Sequence, residues 1–383
     1  MEKRFEQERL SVKFDPYPFE RLTALLDGIE PSSRYEATVM TIGEPQFETP
    51  DFIQSALRES ADLLKKYPKT AGERYLKKSQ LNFIKNRFGV ELKESELIPT
   101  FGTREVLFNF PQFLLFDIQN PVMAFTSPFY QIYKGAAKAS RAEIIYLNLT
   151  KESDFKPDIK DERLKNANLV ILNSPNNPTA SVLSKKELGE WVKLALEYDF
   201  VLLNDECYSE IYCDKPDSSL LEACIKVGNS SFKNTLVLNS ISKRSSAPGL
   251  RSGFVAGDEG ILKEYMKYRT YVGCAVPLPL QFASAKAWSD EEHVKEARKR
   301  YKRNFELAKE ILGVKTPNST FYIWLEVEDD LEFTKLLYKE KNLKVIPGTF
   351  LSRGDFKTKH VRIALVEDEE NTKEAILRIK ELL

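Results

Sequence analysis

The chain contains very little histidine and cysteine. Its 383 residues include only two histidines, His293 and His360, and four cysteines, no two of which have the C-x-x-C spacing. A histidine-rich metal site and a zinc site built on paired cysteines are therefore excluded as the main chemistry. Because so few thiols in a chain of this length are typical of a reducing compartment, we expect a cytoplasmic protein.

An excess of one charge and long apolar runs are also missing. Lysine and arginine total 57, aspartate and glutamate total 57, and the formal net charge is zero, which argues against nucleic acid or a membrane surface as the main partner. No apolar run approaches the roughly 18 residues of a membrane span. Residues 1–6 are charged, so no signal peptide is expected. The length predicts about two or three domains.

Short apolar stretches alternate with amphipathic helical patterns over most of the chain. Ser184 and Glu187 form a capping box that predicts a helix running to about Tyr198. Buried strands are predicted at residues 168–172, 200–203, 235–238 and 253–256. Because continuous apolar strands separated by helices are typical of a parallel sheet covered on both faces, we predict an α/β fold with a mostly parallel sheet.

The pattern changes after about residue 285. The elements predicted there are a long charged helix from about Asp290 to Leu312, strands at residues 321–327 and 360–366, and a closing helix from about Asp368. The alternation in the first of these strands fits an antiparallel sheet. We therefore expect a large domain over residues 46–284, and a smaller α+β domain formed by residues 1–45 and 285–383.

A lysine follows one of the predicted buried strands. Lys243 lies shortly after residues 235–238, accompanied by the hydroxyls of Ser240 and Ser242 and by the guanidinium of Arg251. The ordinary interpretation of a single lysine is a solvated loop residue. Here the hydroxyls and the arginine together suit an anion. A lysine nucleophile beside a bound phosphate describes the Schiff base of pyridoxal phosphate.

Two other predicted strands also end in polar side chains. Asp205 follows the apolar strand at residues 200–203, where a carboxylate is costly without a charged partner. A helix N-cap is one interpretation of Asp205, and a partner for the pyridinium nitrogen of pyridoxal phosphate is the other. Asn177 lies in the segment N-S-P-N-N-P-T-A, whose prolines alone predict a turn.

These segments resemble a known family. The order S-P-N-N-P-T, D-E-x-Y and S-x-S-K-x-x-x-x-P-G-L-R is similar to the fold-type I pyridoxal-phosphate aminotransferases of class I/II, and the resemblance extends from Gly43 to Arg362. It implies an aspartate aminotransferase-like fold, the cofactor pyridoxal 5′-phosphate, amino-acid and 2-oxo-acid substrates, and a homodimer without nucleic acid, membrane or metal. The sequence departs from the family at Ala180, where glycine is usual and where a positive φ would be costly for alanine.

The resemblance implies roles for individual residues. Lys243 resembles the catalytic lysine that carries the cofactor, Asp205 the partner of the pyridine nitrogen, and Asn177 and Tyr208 the donors to the phenolic oxygen of the cofactor. A glycine turn that opens a helix also offers free backbone N–H groups to an anion. The phosphate ligands that the resemblance implies are Ser240, Ser242, Arg251, Gly102, Thr103 and Arg104.

Four further positions match the family. Tyr130 lies where an aromatic ring packs against the cofactor, although an ordinary core aromatic is an equally good interpretation of its composition. Tyr67 resembles the tyrosine that reaches the phosphate of the neighbouring subunit. Arg362 matches the arginine that binds the substrate carboxylate, together with Gly43 and Asn177. A guanidinium fork suits that carboxylate, although a surface arginine is the default interpretation.

A finer resemblance concerns the substrate. The segments D-P-Y-P-F-E-R-L, S-K-R-S and Y-R-T-Y-V-G-C are similar to the bacterial succinyldiaminopimelate aminotransferases of lysine and meso-diaminopimelate biosynthesis. This implies amino transfer between N-succinyl-L,L-2,6-diaminopimelate and 2-oxoglutarate. We expect Arg244 or residues 268–274 to receive the distal carboxylate, with a surface or subunit-contact role as the alternative for each.

Other functions remain open on the sequence alone. The same scaffold serves aminotransferases for aspartate or aromatic substrates, and also pyridoxal-phosphate C–S lyases. A lyase would release pyruvate and ammonia without needing 2-oxoglutarate. A cofactor-binding regulatory module is the alternative from another class, but the chain shows neither a basic arm nor a DNA-binding extension.

Overall fold

The computed structural model describes residues 14–354 and 356–383. The predictions made for residues 1–13 therefore lie outside the described residues. The helices are α1 Pro18–Leu26, α2 Asp51–Glu59, α3 Arg74–Phe88, α4 Thr103–Leu115, α5 Ile132–Ala139, α6 Lys185–Tyr198, α7 Leu220–Lys226, α8 Ile241–Arg244, α9 Glu259–Val272, α10 Leu278–Ser289, α11 Glu292–Leu312, α12 Asp330–Lys341 and α13 Glu369–Lys380. The strands are β1 Thr38–Val39, β2 Leu97–Thr100, β3 Val122–Ser127, β4 Glu143–Asn148, β5 Leu169–Asn173, β6 Val201–Asp205, β7 Thr235–Ser240, β8 Gly253–Gly257, β9 Tyr322–Glu326, β10 Leu343–Lys344, β11 Ile346–Pro347 and β12 His360–Ala364.

A seven-stranded sheet forms the centre of the fold. Its strand order is β2-β8-β7-β6-β5-β3-β4. The neighbours from β4 to β7 are parallel, and β8 runs antiparallel to both β7 and β2. All four strands predicted in this part of the chain are present, within one or two residues of the expected bounds. The prediction of an α/β fold with a mostly parallel sheet is confirmed.

Both faces of this sheet are buried, which explains its continuous apolar strands. In β5, Leu169 and Ile171 belong to one core, whereas Val170 and Leu172 belong to the core on the opposite face. Successive side chains of a strand point to opposite faces, so a strand covered on both sides is apolar throughout. The capping box predicted at Ser184 is present and begins α6, one of the covering helices.

The sheet brings the polar strand ends together. Asn173, the last residue of β5, lies opposite Asp205, the last residue of β6, and Ser240 ends the next strand, β7. These strands are parallel, so their carboxyl ends meet at one edge of the sheet, which is where ligands bind in open α/β sheets.

A smaller set of elements is built from both ends of the described chain. Strands β9, β12 and β11 form an antiparallel sheet, and β1 pairs with β10. Met40 packs with Leu343 and Val345 in the same core. This arrangement agrees with a small domain to which both ends contribute, while its boundaries near residues 46 and 285 stay a prediction. Within the described ranges, none of the helices is both long and apolar enough to cross a membrane.

Candidate active site

A cavity of about 720 Å³ lies at the carboxyl edge of the central sheet. Of the fourteen residues that the sequence predicts for the site, twelve line this cavity. They are Gly43, Thr103, Arg104, Tyr130, Asn177, Asp205, Tyr208, Ser240, Ser242, Lys243, Arg251 and Arg362. Gly102 lies beside it, in contact range of Arg251. The remaining residue, Tyr67, is fully exposed and does not line the cavity.

Lys243 lies on α8, a single helical turn that follows β7 directly. Ser240 caps this turn, and its hydroxyl accepts the backbone N–H of Ser242 at 3.1 Å. The Lys243 ammonium donates to the carbonyl oxygen of Gly43. Burial lowers the pKa of Lys243 to about 8, and the positive charge of Arg362 acts in the same direction. The neutral amine, which is the form that a lysine nucleophile requires, is therefore more accessible near neutral pH than it is in an ordinary exposed lysine.

Asp205 is a buried carboxylate with two donors. Tyr133 donates its hydroxyl to Oδ2 at 2.9 Å, and the backbone N–H of Cys207 donates to Oδ1 at 3.3 Å. Burial raises the pKa of Asp205, and hydrogen bonds from Cys207, by its thiol and its backbone, and from Tyr133 oppose that effect. The sequence patterns did not single out Tyr133. Its only signal is that it shares the segment P-F-Y-Q-I-Y with Tyr130.

A glycine turn and two guanidinium groups form an anion cradle. Gly102 has φ +73°, and a Cβ there would lie 2.3 Å from Nη2 of Arg251. Arg251 donates to the carbonyl oxygen of Pro248 at 2.8 Å, and Arg104 donates to the Tyr130 hydroxyl at 2.8 Å. Burial and the charge of Arg104 lower the pKa of Arg251. In the described chain neither guanidinium is paired with a carboxylate, so the cradle suits an anionic group.

Arg362 reaches the cavity from β12 and is 4 % exposed. Its Nη1 donates to Oδ1 of Asn177 at 2.6 Å, and its Nη2 donates to the carbonyl oxygen of Thr41. The buried Nε has no hydrogen-bond partner within the part of the chain that the structure describes. A guanidinium that is fixed on two sides still has N–H donors left over, and these can receive a carboxylate.

Tyr322 is a second residue that the sequence did not single out. Its hydroxyl is 2.9 Å from that of Tyr208, and the guanidinium carbon of Arg362 lies 4.4 Å from its ring centroid. A Cβ at Gly43 would lie 1.7 Å from the Tyr322 hydroxyl oxygen, so any larger residue at this position would displace the Tyr322 side chain. The alternation at residues 321–327 predicts a strand here and gives no sign of the contact with Tyr208.

The structure corrects the expectation for the distal carboxylate. Arg244 is buried, donates to the carbonyl oxygen of Ala287 at 2.7 Å and pairs with Glu291. Arg269 is also buried and forms a two-point ion pair with Glu105, each contact at 2.9 Å. Neither arginine lines the cavity of its own chain and both are already paired, so the predicted receptor role is wrong for these two arginines, while the role of the other residues of 268–274 stays a prediction. A surface position, one of the alternatives, is wrong as well, because Arg244 binds the end of a helix and Arg269 binds a buried carboxylate.

The departure from the family at Ala180 has the expected backbone geometry. Ala180 has φ +60° and is 5 % exposed. The left-handed region is unfavourable for an L-residue with a Cβ, at a cost of roughly 1–2 kcal/mol. Asn177 nevertheless keeps its contact with Arg362, and its backbone N–H donates to Oδ1 of Asn173 at 2.8 Å. The strained turn therefore does not displace the site.

Comparison with known proteins agrees with this geometry. The family model "Aminotransferase class I and II" matches residues 36–379. The chain belongs to this aminotransferase family. Aminotransferase AspB from Helicobacter pylori is 49% identical with a TM-score of 0.94, over 97% of this chain and 99% of that chain. An aminotransferase from Neisseria meningitidis is 40% identical with a TM-score of 0.92, again over 97% and 99%. An LL-diaminopimelate aminotransferase from Natranaerobius thermophilus is 30% identical over 385 residues, 96% of each chain.

Class I and II aminotransferases depend on pyridoxal 5′-phosphate and act on amino and oxo acids, so this protein is a pyridoxal-phosphate-dependent aminotransferase. The cavity fits the cofactor. The glycine at 102 lets the Arg251 guanidinium lie against the turn, beside Arg104 and Ser242 in the cavity lining, and this set of donors suits the phosphate. Asp205 suits the pyridinium nitrogen, because a buried carboxylate needs a cationic partner. Lys243 supplies the amine for the aldehyde.

Proposed function

We propose that this aminotransferase transfers the amino group between N-succinyl-L,L-2,6-diaminopimelate and 2-oxoglutarate, giving N-succinyl-2-amino-6-oxopimelate and L-glutamate. The reaction belongs to lysine and meso-diaminopimelate biosynthesis. The diaminopimelate chemistry is supported by the name of the Natranaerobius relative, which acts on the compound without the succinyl group. Support for the succinyl group comes from the side chains that line the cavity.

The observation that carries the proposal is a third guanidinium in the cavity. Arg251 is assigned to the phosphate and Arg362 to the α-carboxylate, and the third is Arg104, which lies beside Arg251 in the anion cradle. Its Nε donates to the Tyr130 hydroxyl, and no carboxylate of the described residues pairs with it. Glutamate and succinylated diaminopimelate each carry a carboxylate away from the reacting carbon. Arg104 is the group that we assign to that distal carboxylate, in addition to the phosphate role implied by its place in the glycine turn.

The opposite preference has its own candidate residue. Glu44 also lines the cavity and is exposed at its rim. Free diaminopimelate ends in an ammonium as well as a carboxylate, so an acidic side chain would favour the free compound. The balance between Arg104 and Glu44 therefore decides which form is preferred.

The residues divide the chemistry among them. Pyridoxal phosphate supplies the electron sink for the charge that develops at the substrate Cα. The Lys243 amine is the base that takes and returns the Cα proton. Asp205 would hold the proton on the pyridine nitrogen of the bound cofactor, and Tyr208 and Asn177 would donate to its phenolic oxygen. Arg362 holds the α-carboxylate of each substrate in turn, so we expect ping-pong kinetics.

We further propose that the enzyme works as a homodimer. Tyr67 is fully exposed and outside the cavity of its own chain, although the resemblance places it against a phosphate. The exposure of Tyr67 in its own chain is compatible with its expected position against a phosphate if Tyr67 reaches the cavity of a second copy. Sedimentation of the purified enzyme should then give a dimer, and Tyr67→Phe should weaken cofactor retention about tenfold, the worth of one hydrogen bond to a charged group. A monomer with full activity would contradict this.

The substrate proposal is tested by comparing kcat/KM for the succinylated and free compounds as amino donors to 2-oxoglutarate. We expect a preference for the succinylated compound of about 10²-fold, or roughly 2.7 kcal/mol, the worth of one charge-assisted hydrogen bond. Arg104→Met should remove most of this preference, and the matched variant Glu44→Gln should not reduce it. Cofactor occupancy, measured in parallel, separates a distal role of Arg104 from a phosphate role.

Three outcomes would contradict the proposal. Equal rates for the two compounds would remove the succinyl preference, and a clear preference for aspartate or an aromatic amino acid would replace the substrate class. Release of pyruvate from cystathionine without 2-oxoglutarate would instead indicate a C–S lyase. The aminotransferase assignment itself survives the first two outcomes.

A further inference from the structure

The turn that carries Lys243 continues into two side chains that point away from the cavity. Arg244 and Ser245 follow Lys243 directly, and each is 1 % exposed. Neither lines the cavity, so neither touches substrate or cofactor. Both instead contact the junction between α10 and α11, where one helix ends at Ser289 and the next begins at Glu292.

Arg244 caps the end of α10. Its Nη1 donates to the carbonyl oxygen of Ala287 at 2.7 Å, and its Nη2 donates to that of Asp290 at 3.1 Å. The same nitrogen pairs with the carboxylate of Glu291, which is the N-cap residue of α11. A cation that binds the last carbonyl groups of a helix also interacts favourably with the helix dipole. One guanidinium thus holds the end of one helix and the beginning of the next.

Ser245 makes the second contact with this junction. Its hydroxyl is 2.9 Å from Nε2 of His293, and Nδ1 of that ring is 2.5 Å from Oδ1 of Asp290. The ring also packs edge-on against Phe52, with centroids 5.4 Å apart. The order Ser-His-Asp is that of a hydrolase triad, but this serine is buried outside the cavity. The three groups therefore serve as a structural connection.

A buried carboxylate ties the same turn to the middle of α11. Glu210 lies 3.9 Å from Nε of Arg244, 2.9 Å from Nη2 of Arg298 on α11, and 2.7 Å from Nε of Arg87 on α3. Arg298 also donates to the backbone carbonyl of Glu210 at 2.8 Å. The turn after Lys243 is thus connected to α11 by two separate routes.

We propose that Arg244 and His293 are positioning residues that fix the turn carrying Lys243 against the junction of α10 and α11. The reason is that α8 has only four residues, and one turn of helix is not stable by itself in water. The backbone bond from Ser245 N–H to the Ile241 carbonyl, at 2.9 Å, closes only this one turn, so the remaining support has to come from contacts with neighbouring elements. The inference rests on the role assigned to Lys243, which peptide mapping tests separately.

Arg244→Lys tests the first contact, because it keeps the charge and loses the fork. In the cofactor-loaded enzyme we expect kcat to fall about tenfold, with KM for glutamate within about threefold. The midpoint of the pH-dependent absorbance change of the bound cofactor should shift by about half a unit or more. Arg378→Lys is the matched control, since Arg378 is also buried but donates to the Glu36 carbonyl and pairs with Glu374, away from the turn. It should lower the melting temperature and leave kcat and the absorbance midpoint unchanged.

Two substitutions of His293 test the second contact, one that removes it and one that can replace it. His293→Gln can still offer a polar group to Ser245 in place of Nε2, whereas His293→Leu cannot. We expect Leu to shift the absorbance midpoint in the same way as Arg244→Lys, and Gln to restore most of it. If Arg244→Lys fails to fold, this pair decides the matter alone. Variants that lower the melting temperature but keep the wild-type midpoint and kcat would show a merely structural role and overturn the proposal.

Discussion

Arg362 is the residue through which both substrates are expected to bind. Two sides of its guanidinium are occupied by Asn177 and the Thr41 carbonyl, and Nε is left over. Because one fork serves two substrates in turn, a change in its shape should affect both equally. The side chain is held so closely that a lysine cannot reproduce its contacts.

We predict that Arg362→Lys weakens binding of glutamate and of the second amino donor together, each by about 10- to 100-fold, as expected for a lost charge-assisted hydrogen bond. Arg378→Lys is the control, because Arg378 is equally buried and binds the Glu36 carbonyl at 2.9 Å outside the cavity. Full kinetics with both donors measure the effect. A variant impaired for only one donor would show that the two carboxylates bind at different places.

Tyr133 supports Asp205 through one hydrogen bond, which its hydroxyl donates to the carboxylate. Tyr133→Phe removes that donor from a buried carboxylate, so we predict a loss in kcat of about tenfold or more. Tyr301→Phe is the matched control, because the buried hydroxyl of Tyr301 has no partner within the described residues and its removal should leave kcat unchanged. Equal kcat values for the two variants would mean that Tyr133 does not support Asp205.

At the scale of single elements, strands and helix starts were predictable and cross-element contacts were not. The apolar runs of β5, β6 and β7 and the capping box before α6 are local signals, because burial and capping act on adjacent residues. The pairing of Tyr322 with Tyr208 joins residues more than a hundred positions apart, and no local pattern encodes it. The prediction for Arg244 fails for the same reason, since its partners lie at the end of α10 and immediately before α11.

The glycine turn before α4 offers a prediction at this scale. In Gly102→Ala the new Cβ would displace the Arg251 guanidinium, so affinity for pyridoxal phosphate should fall about tenfold or more. Gly89→Ala is a matched control, because Gly89 has a similar φ of +67° and a Cβ added there would meet no atom within 4 Å. Both variants should lose about 1 kcal/mol of stability, and only the first should release cofactor during dialysis. Equal retention would remove Gly102 from the phosphate site.

The end of β6 gives a prediction about pH. Burial raises the pKa of Glu206 to about 8, although its Oε1 accepts the backbone N–H of Leu220 at 2.8 Å and the hydroxyl of Ser219 at 3.1 Å. Between the ordinary glutamate pKa and pH 8, the folded state holds a proton that the unfolded state has lost. The free energy of unfolding therefore falls as pH rises through this range, by on the order of 1 kcal/mol per pH unit.

Glu206→Gln has no proton to lose and should be free of this slope. Urea unfolding at pH 5, 6.5 and 8 measures the free energy of unfolding of both proteins. The difference between them should change in favour of the variant as pH rises. Parallel stability curves would mean that Glu206 titrates normally. Asp217, whose pKa burial raises to about 7, is unchanged in both proteins and contributes equally to each.

At the scale of the whole molecule, the site gathers segments that are far apart in the chain. The ends of β5, β6 and β7 supply Asn177, Asp205 and Lys243, while Gly43 and Arg362 come from outside the central sheet. The order of the motifs predicted this convergence, because parallel strands place their carboxyl ends at one edge. The distal part of the cavity was not predictable, since it depends on which of several arginines is left unpaired after folding.

The most direct test of this account is to locate the lysine that holds the cofactor. The loaded wild-type enzyme is reduced with borohydride, digested, and its cofactor-labelled peptide is sequenced by mass spectrometry. We predict a single labelled peptide with the modification on Lys243, and none from Lys243→Ala, which should also lose nearly all turnover. Label on any other lysine of the wild-type enzyme, or turnover by Lys243→Ala close to that of the wild type, would contradict the assignment of the active site.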